Sequence, residues 1–242
     1  MCGRFVSASP PDEIARYFDA VDPEETVLEP SYNVAPTDDV YAVVEHDGER
    51  VVEVFHWGLV PNWAKSPSVA SRMINARAET ITAKFKPAFT ARRCIVPATG
   101  FYEWRAVPGQ KKKQPMFIHD PGGRLLAFAG LWEVWRDRDG VAGNKNLRGD
   151  ALHSCTIITT TANEDMAVVH DRMPVLLAPD TWATWLDETN HDLDALGGLL
   201  VPAPAGGLEL YPVAPDVGNV ANQGAHLMAH VEPDVAAQGT LL

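Results

Sequence analysis

The sequence predicts a single α+β domain in which strands outnumber helices. Nine strand-like runs follow one another along the 242 residues, and they do not alternate regularly with long helices, which argues against a parallel doubly wound sheet. The chain has no internal repeat and no stretch with the length or composition of a domain linker. Hydrophobic residues make up 46% of the chain and charged residues 21%, which excludes a disordered or coiled-coil protein. We therefore expect one compact unit over residues 1–242.

The first predicted elements are a short helix and a β-hairpin. In residues 9–13 a serine precedes two prolines and two acids, the pattern of a hydroxyl cap and a helical first turn, and apolar residues continue at helical spacing to residue 18. Residues 40–45 and 51–57 are rich in β-branched side chains, and the turn signal between them contains Asp47-Gly48. The pattern predicts two paired antiparallel strands.

The remaining elements are short, and strands dominate among them. Strand-like runs lie at residues 94–98, 101–104, 115–119, 125–134, 155–160, 175–177 and 208–213. Helical patterns are weaker and lie at residues 79–85, 163–168 and 179–187.

Composition also bounds the location of the protein and its ligands. No apolar run approaches the ~20 residues of a membrane span, and the first residues lack an apolar signal-peptide segment, so we expect a soluble protein of the cytoplasm. Three cysteines without a CxxC pair indicate neither a disulfide framework nor a cysteine zinc site. The histidines lack the paired spacing of metal ligands, and we expect no metal, no cofactor and a monomer.

The charge is divided unevenly along the chain. The net charge of -12 argues, taken globally, against a nucleic-acid partner. Residues 72–113, however, contain ten basic and two acidic side chains, a net charge of +8, whereas residues 173–242 contain no lysine or arginine. This asymmetry predicts a basic face on an acidic surface. Lys111, Lys112 and Lys113 either belong to that face or merely solvate a loop.

Cys2 is the most informative single position. Initiator methionine is usually trimmed before a small residue, and the mature chain would then begin with an α-amine (pKa ~7.7 to 8.0) beside a thiol (pKa ~8.5). A 1,2-aminothiol reacts with aldehydes to give an imine and then a five-membered thiazolidine. Arg4 is expected to favour the thiolate, and Gly3 to let a bulky substrate approach. The alternative is an accidental second-position cysteine.

Three further features carry polar groups suited to the same chemistry. In an extended segment Asn75, Arg77 and Glu79 would point to one side, whereas in a helix they would scatter over an ordinary solvated face. Glu103 lies in an apolar, aromatic run, where desolvation favours a protonated carboxyl suited to acid or base catalysis; a buried pair with arginine is the competing account. His170, between a helix and a strand, is suited to proton transfer, although a lone histidine is more often structural.

Eight motifs occur in a fixed order and together resemble one family. They are CGRF (2–5), YNVAPT (32–37), HWGLVPNWA (56–64), NARAE (75–79), RCIVP (93–97), GFYEW (100–104), AGLW (129–132) and HDRMP (170–174). This series resembles the SOS-response-associated peptidase family of abasic-site processing proteins. The resemblance implies a barrel-like arrangement of β-sheets with short flanking helices and a basic cleft for DNA.

The resemblance also implies a reaction. The N-terminal cysteine of that family forms a thiazolidine with the ring-opened abasic site in single-stranded DNA, and the family is credited with removing its own initiator methionine. Carried over by position, the catalytic residues are Cys2, Asn75, Glu103 and His170. The implied contacts to phosphate, sugar or bases are Arg4, Pro36, Trp57, Arg77, Trp104 and Arg172.

Two departures from the family pattern keep alternatives open. Residues 213–219 do not show the family's usual Val-Ser and Val-Asn elements, and the overall acidity is unusual for a DNA-binding protein. One alternative function is an N-terminal-nucleophile amidase or cysteine peptidase in which Cys2 and His170 form the nucleophile and base. The other is a reversible, non-enzymatic single-strand binding module.

Overall fold

The computed structural model describes residues 2–22, 27–137 and 147–232. Its strands are β1 (Phe5–Ser7), β2 (Ser31–Val34), β3 (Asp39–His46), β4 (Glu49–Trp57), β5 (Asn75–Arg77), β6 (Arg93–Ala98), β7 (Gly100–Arg105), β8 (Gln114–His119), β9 (Leu126–Arg136), β10 (Ala151–Thr161), β11 (Arg172–Pro174) and β12 (Glu209–Pro212). The α-helices are α1 (Pro11–Phe18), α2 (Ile81–Lys84), α3 (Lys86–Ala91), α4 (Glu164–Ala167), α5 (Trp182–Leu186) and α6 (Leu193–Gly198). Turns of 3₁₀-helix lie at Pro67–Arg72, Ala78–Thr80, Pro179–Thr181, Pro215–Gly218 and Ala225–Met228.

Five strands close into a barrel. They pair in the order β10, β4, β3, β6 and β9, and β9 pairs back onto β10 over seven residue pairs. The β10–β4 pairing is parallel and the other pairings around the barrel are antiparallel. Beyond the barrel, β5 continues along one edge of β10 in parallel and β11 along the other edge in antiparallel. The predicted barrel-like α+β fold is confirmed.

A second, antiparallel sheet packs against the barrel. Its strand order is β12, β8, β7, β1 and β2, which places β1 between β7 and β2. Phe5 of β1 meets Phe128 of the barrel with ring centroids 6.0 Å apart, and Phe101 of β7 meets the same ring at 5.9 Å. These rings join the two sheets, because aromatic side chains bury a large area and favour such edge contacts. Strand β1 is therefore held within the second sheet and against the barrel.

Apolar core clusters lie on both faces of the barrel strands. Along β3, Val40, Ala42 and Val44 belong to one core cluster, whereas Tyr41 and Val43 belong to another, which also contains residues of α1, α3 and α5. A strand covered on both sides has a continuous apolar sequence rather than an alternating one. This explains why the sequence predicted β3 so readily.

The hairpin prediction is confirmed and the helix prediction is confirmed in part. Asp47 and Gly48 both have positive φ angles, 52° and 81°, as in a type I′ turn between β3 and β4. The first helix forms as α1, with Ile14 and Phe18 buried. The predicted serine cap is wrong, because Pro10 occupies the N-cap position and makes no side-chain capping bond.

Short elements differ most from the prediction. The strand expected at residues 175–177 is displaced to β11, and the helix expected at residues 79–85 divides into the turn Ala78–Thr80 and α2. The short strands β1 and β2 and the short helices α3 and α6 were not predicted, since periodicity needs a longer window, whereas β5 is the extended alternative that the sequence left open. Within the described residues, no helix has the length and apolar character that crossing a membrane requires.

Candidate active site

Cys2 lies just before β1, inside the main core. Its side chain is only 1% exposed and belongs to the same apolar cluster as Phe5 and Trp57. The backbone is held on both sides, because Tyr102 N–H donates to the Arg4 carbonyl at 3.0 Å and β1 pairs with β7 and β2. The candidate nucleophile therefore occupies a rigid position.

The Cys2 thiol is held in its neutral form. Burial raises its pKa well above the ordinary value, and the nearby carboxylate of Glu103 raises it further. The expectation that Arg4 favours the thiolate is wrong in this structure. The Arg4 guanidinium instead donates to Asn33 Oδ1 at 2.9 Å and to the Val217 carbonyl at 3.1 Å.

Asn33 joins the segment after β12 to the N-terminal strands. Its side chain is fully buried, and Nδ2 donates to the carbonyls of Val217, Asn219 and Asn222 at 2.9 to 3.2 Å. Residues 213–219, where the sequence departs from the family pattern, thus contact both Arg4 and Asn33. Their contacts position β1 and β2 through backbone carbonyls, which a residue of any type provides.

Asn75 directly contacts Cys2. β5 is extended, so Asn75 and Arg77 face one side while Ala76 is buried on the other. Asn75 Nδ2 donates to the Cys2 carbonyl at 2.8 Å. Its Oδ1 is buried and has no hydrogen-bond partner among the described residues. Leaving a buried amide oxygen without a hydrogen-bond donor costs free energy. We therefore expect this oxygen to gain a donor when the protein is active.

Glu103 lies on β7, beside the strand that follows Cys2. It is 6% exposed, and its Oε1 is 3.4 Å from the backbone N–H of Trp104. Its effect on the Cys2 thiol shows that the two side chains share one region. The structure thus brings Cys2, Asn75 and Glu103 together from three distant parts of the chain.

His170 lies between α4 and β11, at the end of β10 that β5 also flanks. Asn163 caps α4 by accepting the Met166 N–H at 3.0 Å, which fixes the approach to His170. The imidazole is 25% exposed, and its Nδ1 lies 3.0 Å from the Arg172 backbone N–H and 2.8 Å from Asp171 Oδ1.

Arg172 and Glu79 form an ion pair within the protein. Arg172 is 9% exposed, and its Nη2 donates to Glu79 Oε2 at 3.0 Å and to the Thr159 carbonyl at 2.6 Å. The guanidinium implied as a DNA contact is therefore engaged by protein groups. Glu79 does not share the face of Asn75, because β5 ends at Arg77 and Glu79 lies in the following 3₁₀ turn.

The tryptophans implied as stacking surfaces have different environments. Trp57 is fully buried, donates from Nε1 to the Ile74 carbonyl at 3.0 Å and packs edge-on against Phe5, so it presents no face to a base. Trp104 and Pro36 are half-buried. Sequence reasoning missed Trp63, whose ring is 77% exposed six residues after Trp57. The signal that the sequence offered was the position of Trp63 in the HWGLVPNWA motif.

Comparison with known proteins decides the family. The model described as SOS response associated peptidase (SRAP) matches residues 1–220. The chain belongs to the SRAP family. This SRAP chain is 41% identical over 232 residues to the abasic site processing protein YoaM of Bacillus subtilis (strain 168), covering 94% of this chain and 97% of that protein. It is 31% identical to the abasic site processing protein YedK of Escherichia coli (strain K12), covering 96% and 100%.

More distant matches agree with this placement. The SRAP chain is 30% identical to the abasic site processing protein HMCES of Xenopus tropicalis, covering 96% of this chain and 78% of that protein. A crystal structure of a protein from Bacteroides thetaiotaomicron matches with a TM-score of 0.81 at 24% identity, covering 96% of the SRAP chain and all of the other chain. At that identity the likeness shows the fold.

Proposed function

We propose that this SRAP chain processes abasic sites in single-stranded DNA by forming a thiazolidine crosslink through Cys2. The observation that carries the proposal is the contact between Asn75 and Cys2, beside which the buried amide oxygen of Asn75 has no hydrogen-bond partner among the residues that the structure describes. A single chain supplies all the residues involved. The family membership and the abasic site processing relatives support the choice of substrate.

The first step is removal of Met1, which lies outside the described residues. Hydrolysis of the Met1–Cys2 peptide bond consumes one water and releases methionine and a free α-amine on Cys2. Asn75 Nδ2 already holds the carbonyl of the same residue. The Oδ1 of Asn75, which accepts no hydrogen bond from the described residues, then accepts an N–H of the new amine and so orients the lone pair of the amine nitrogen toward a substrate.

The second step joins the amine to the sugar. The amine nitrogen adds to the C1′ aldehyde carbon of the opened sugar, and the resulting hydroxyl leaves as water to give an imine. Glu103, buried beside Cys2, takes a proton from the nitrogen and returns one to the departing hydroxyl. The amine acts first, because burial keeps the sulfur in its less nucleophilic, neutral form.

The third step closes the ring. The Cys2 sulfur adds to the imine carbon, and the thiol proton moves to the nitrogen. The crosslink therefore contains both the nitrogen and the sulfur of Cys2 on C1′, with the loss of one water overall. His170, at the exposed edge of the site, assists opening of the sugar ring before these steps.

The DNA path uses stacking more than charge. Arg77 is exposed on β5 and contacts a phosphate, whereas Trp63, Trp104 and Pro36 provide apolar surface for bases. A base stacked on an aromatic ring contributes about 1 to 3 kcal/mol. With a net charge of -12, affinity depends less on counterion release than in a basic protein.

The test incubates the purified protein with single-stranded DNA bearing one abasic site and counts adducts that survive denaturation. Wild-type protein is expected to form a stable adduct. Cys2→Ser and Cys2→Ala keep the amine but lack the sulfur, so each is expected to form only an imine that borohydride traps and denaturation otherwise releases. Stable adducts of the two variants without borohydride would contradict the proposal.

The same assay separates the alternatives. Peptide cleavage without any DNA adduct would identify a peptidase or amidase. Reversible binding of intact single-stranded DNA that is equal in wild type and Cys2→Ala, with no covalent species, would identify a binding module. Either result overturns the crosslinking proposal.

A further inference from the structure

The backbone around His170 determines where the neutral ring carries its proton. The Arg172 N–H lies 3.0 Å from His170 Nδ1. An amide N–H can only donate, so Nδ1 must offer its lone pair and the proton must lie on Nε2. Asp171 Oδ1 is 2.8 Å from the same nitrogen, but its side chain is 88% exposed. An exposed carboxylate can rotate into water, whereas the backbone amide of a residue held in a β-strand cannot.

The backbone amide that contacts His170 belongs to Arg172, and the side chain of Arg172 helps to fix this amide in place. Arg172 begins β11 and pairs with Thr161 across β10. Its buried guanidinium donates to both carboxylate oxygens of Glu79 and to the Thr159 carbonyl. Two parallel hydrogen bonds between guanidinium and carboxylate restrict both distance and angle. Backbone and side chain thus hold Arg172 at two points.

Glu79 connects this arrangement to the residue that contacts Cys2. It lies in the 3₁₀ turn Ala78–Thr80, directly after β5, which carries Asn75. The Glu79–Arg172 pair therefore ties the His170 segment to the Asn75 segment across β10. The buried Arg172 thus has a structural role, the connection of the two segments, which is separate from phosphate binding.

We infer that Glu79 and Arg172 are positioning residues that keep neutral His170 in the Nε2–H form. In this form Nε2 donates a hydrogen bond to a sugar oxygen, while Nδ1 is occupied by the backbone. The role in catalysis rests on the proposed function, whereas the form of the ring does not. Both residues would act on the reaction through His170.

The form of the ring is measured on the free protein by ¹⁵N NMR of the histidine side chains in mildly alkaline buffer. His170→Gln assigns the signal. We expect wild type to show the Nε2–H form, and Glu79→Gln and Arg172→Lys to show a mixture of both neutral forms. Glu164→Gln, an exposed carboxylate on α4, is the matched control and keeps the wild-type signal. An Nδ1–H ring in wild type, or an unchanged ring in Glu79→Gln, overturns the inference.

Kinetics provide the second readout. Glu79→Gln is expected to slow adduct formation about tenfold, since misplacing the proton removes part of an acid–base contribution, while affinity for intact single-stranded DNA stays the same. A normal adduct rate overturns the inference. Loss of DNA affinity in Arg172→Lys with an unchanged ring form also overturns it, because that result makes Arg172 a phosphate contact. Absence of any adduct in wild type refutes the proposed function, and the NMR result still decides the form of the ring.

Discussion

The barrel and the candidate site are built from different kinds of contact. The barrel is a closed circuit of five strands whose buried apolar side chains belong to two core clusters. The site depends on a few polar contacts between segments far apart in sequence, such as Asn75 with Cys2 and Arg4 with Asn33. Packing is distributed over many residues, whereas each polar contact of the site depends on one pair of groups. Substitutions in the barrel should therefore lower stability, and substitutions in the site should lower activity first.

The largest expected effect is on the stability of the barrel. Trp57→Ala removes a fully buried indole that packs on Phe5. We expect the free energy of unfolding to fall by about 3 to 5 kcal/mol, as for other large-to-small changes in cores. Urea denaturation measures this change. A loss below about 1 kcal/mol, combined with weaker DNA binding, would return Trp57 to the role of a stacking surface.

The second effect tests the polar contacts that hold β1. Asn33→Ala removes the acceptor of Arg4 and the donor to three carbonyls in residues 217–222. Leaving buried groups unpaired is expected to lower the free energy of unfolding by about 2 kcal/mol and to slow adduct formation, because Cys2 loses its support. Asn62→Ala, at an exposed position, is the control. Equal behaviour of the two variants would show that this network does not position the site.

The third effect should spare stability altogether. Trp63→Ala removes an exposed ring, so the free energy of unfolding should change by less than about 0.5 kcal/mol. Affinity for single-stranded DNA should fall about tenfold through loss of stacking, and Trp63→Phe should restore part of it. Fluorescence anisotropy with labelled DNA gives both values. An unchanged affinity would remove Trp63 from the DNA path.

The smallest effect concerns a charged cluster on the barrel. Interaction with His153 and then His46 lowers the pKa of Glu53 to about 2, with Arg148 contributing further. A carboxyl whose pKa is depressed on folding stabilises the protein above its ordinary pKa of ~4.3, and this contribution is lost as the pH falls toward 2. As the pH falls between these two values, the free energy of unfolding of Glu53→Gln should therefore decline less than that of the wild type. Urea unfolding across this acid range measures it, and parallel curves for wild type and variant would contradict the assignment.

The sequence predicted the barrel better than the site for a physical reason. Long strands such as β3, β9 and β10 can be predicted from their own residues. Burial on both faces requires runs of hydrophobic side chains, and such runs are visible in the sequence. The hairpin turn also carried its signal locally, in Asp47-Gly48. Composition and periodicity could therefore indicate the class of fold, while the resemblance to the family implied a barrel-like arrangement.

The site residues could be proposed but their contacts could not. Cys2, Asn75, Glu103 and His170 were found through motifs, yet nothing local shows that Asn75 meets the Cys2 carbonyl. Exposure was equally hidden, because Trp57 and Trp63 share one motif but differ from fully buried to 77% exposed. Such properties depend on contacts between distant segments, which a single sequence does not display.

The most direct test of the proposed reaction is the chemical state of Cys2 within the adduct. The adduct is denatured, treated with iodoacetamide, digested and sequenced by mass spectrometry. We predict a chain that starts at Cys2, a mass equal to protein plus DNA minus one water, and a Cys2 sulfur that resists alkylation while Cys94 and Cys155 react. An adduct in which Cys2 is alkylated, or in which the DNA is attached to another residue, would contradict the account.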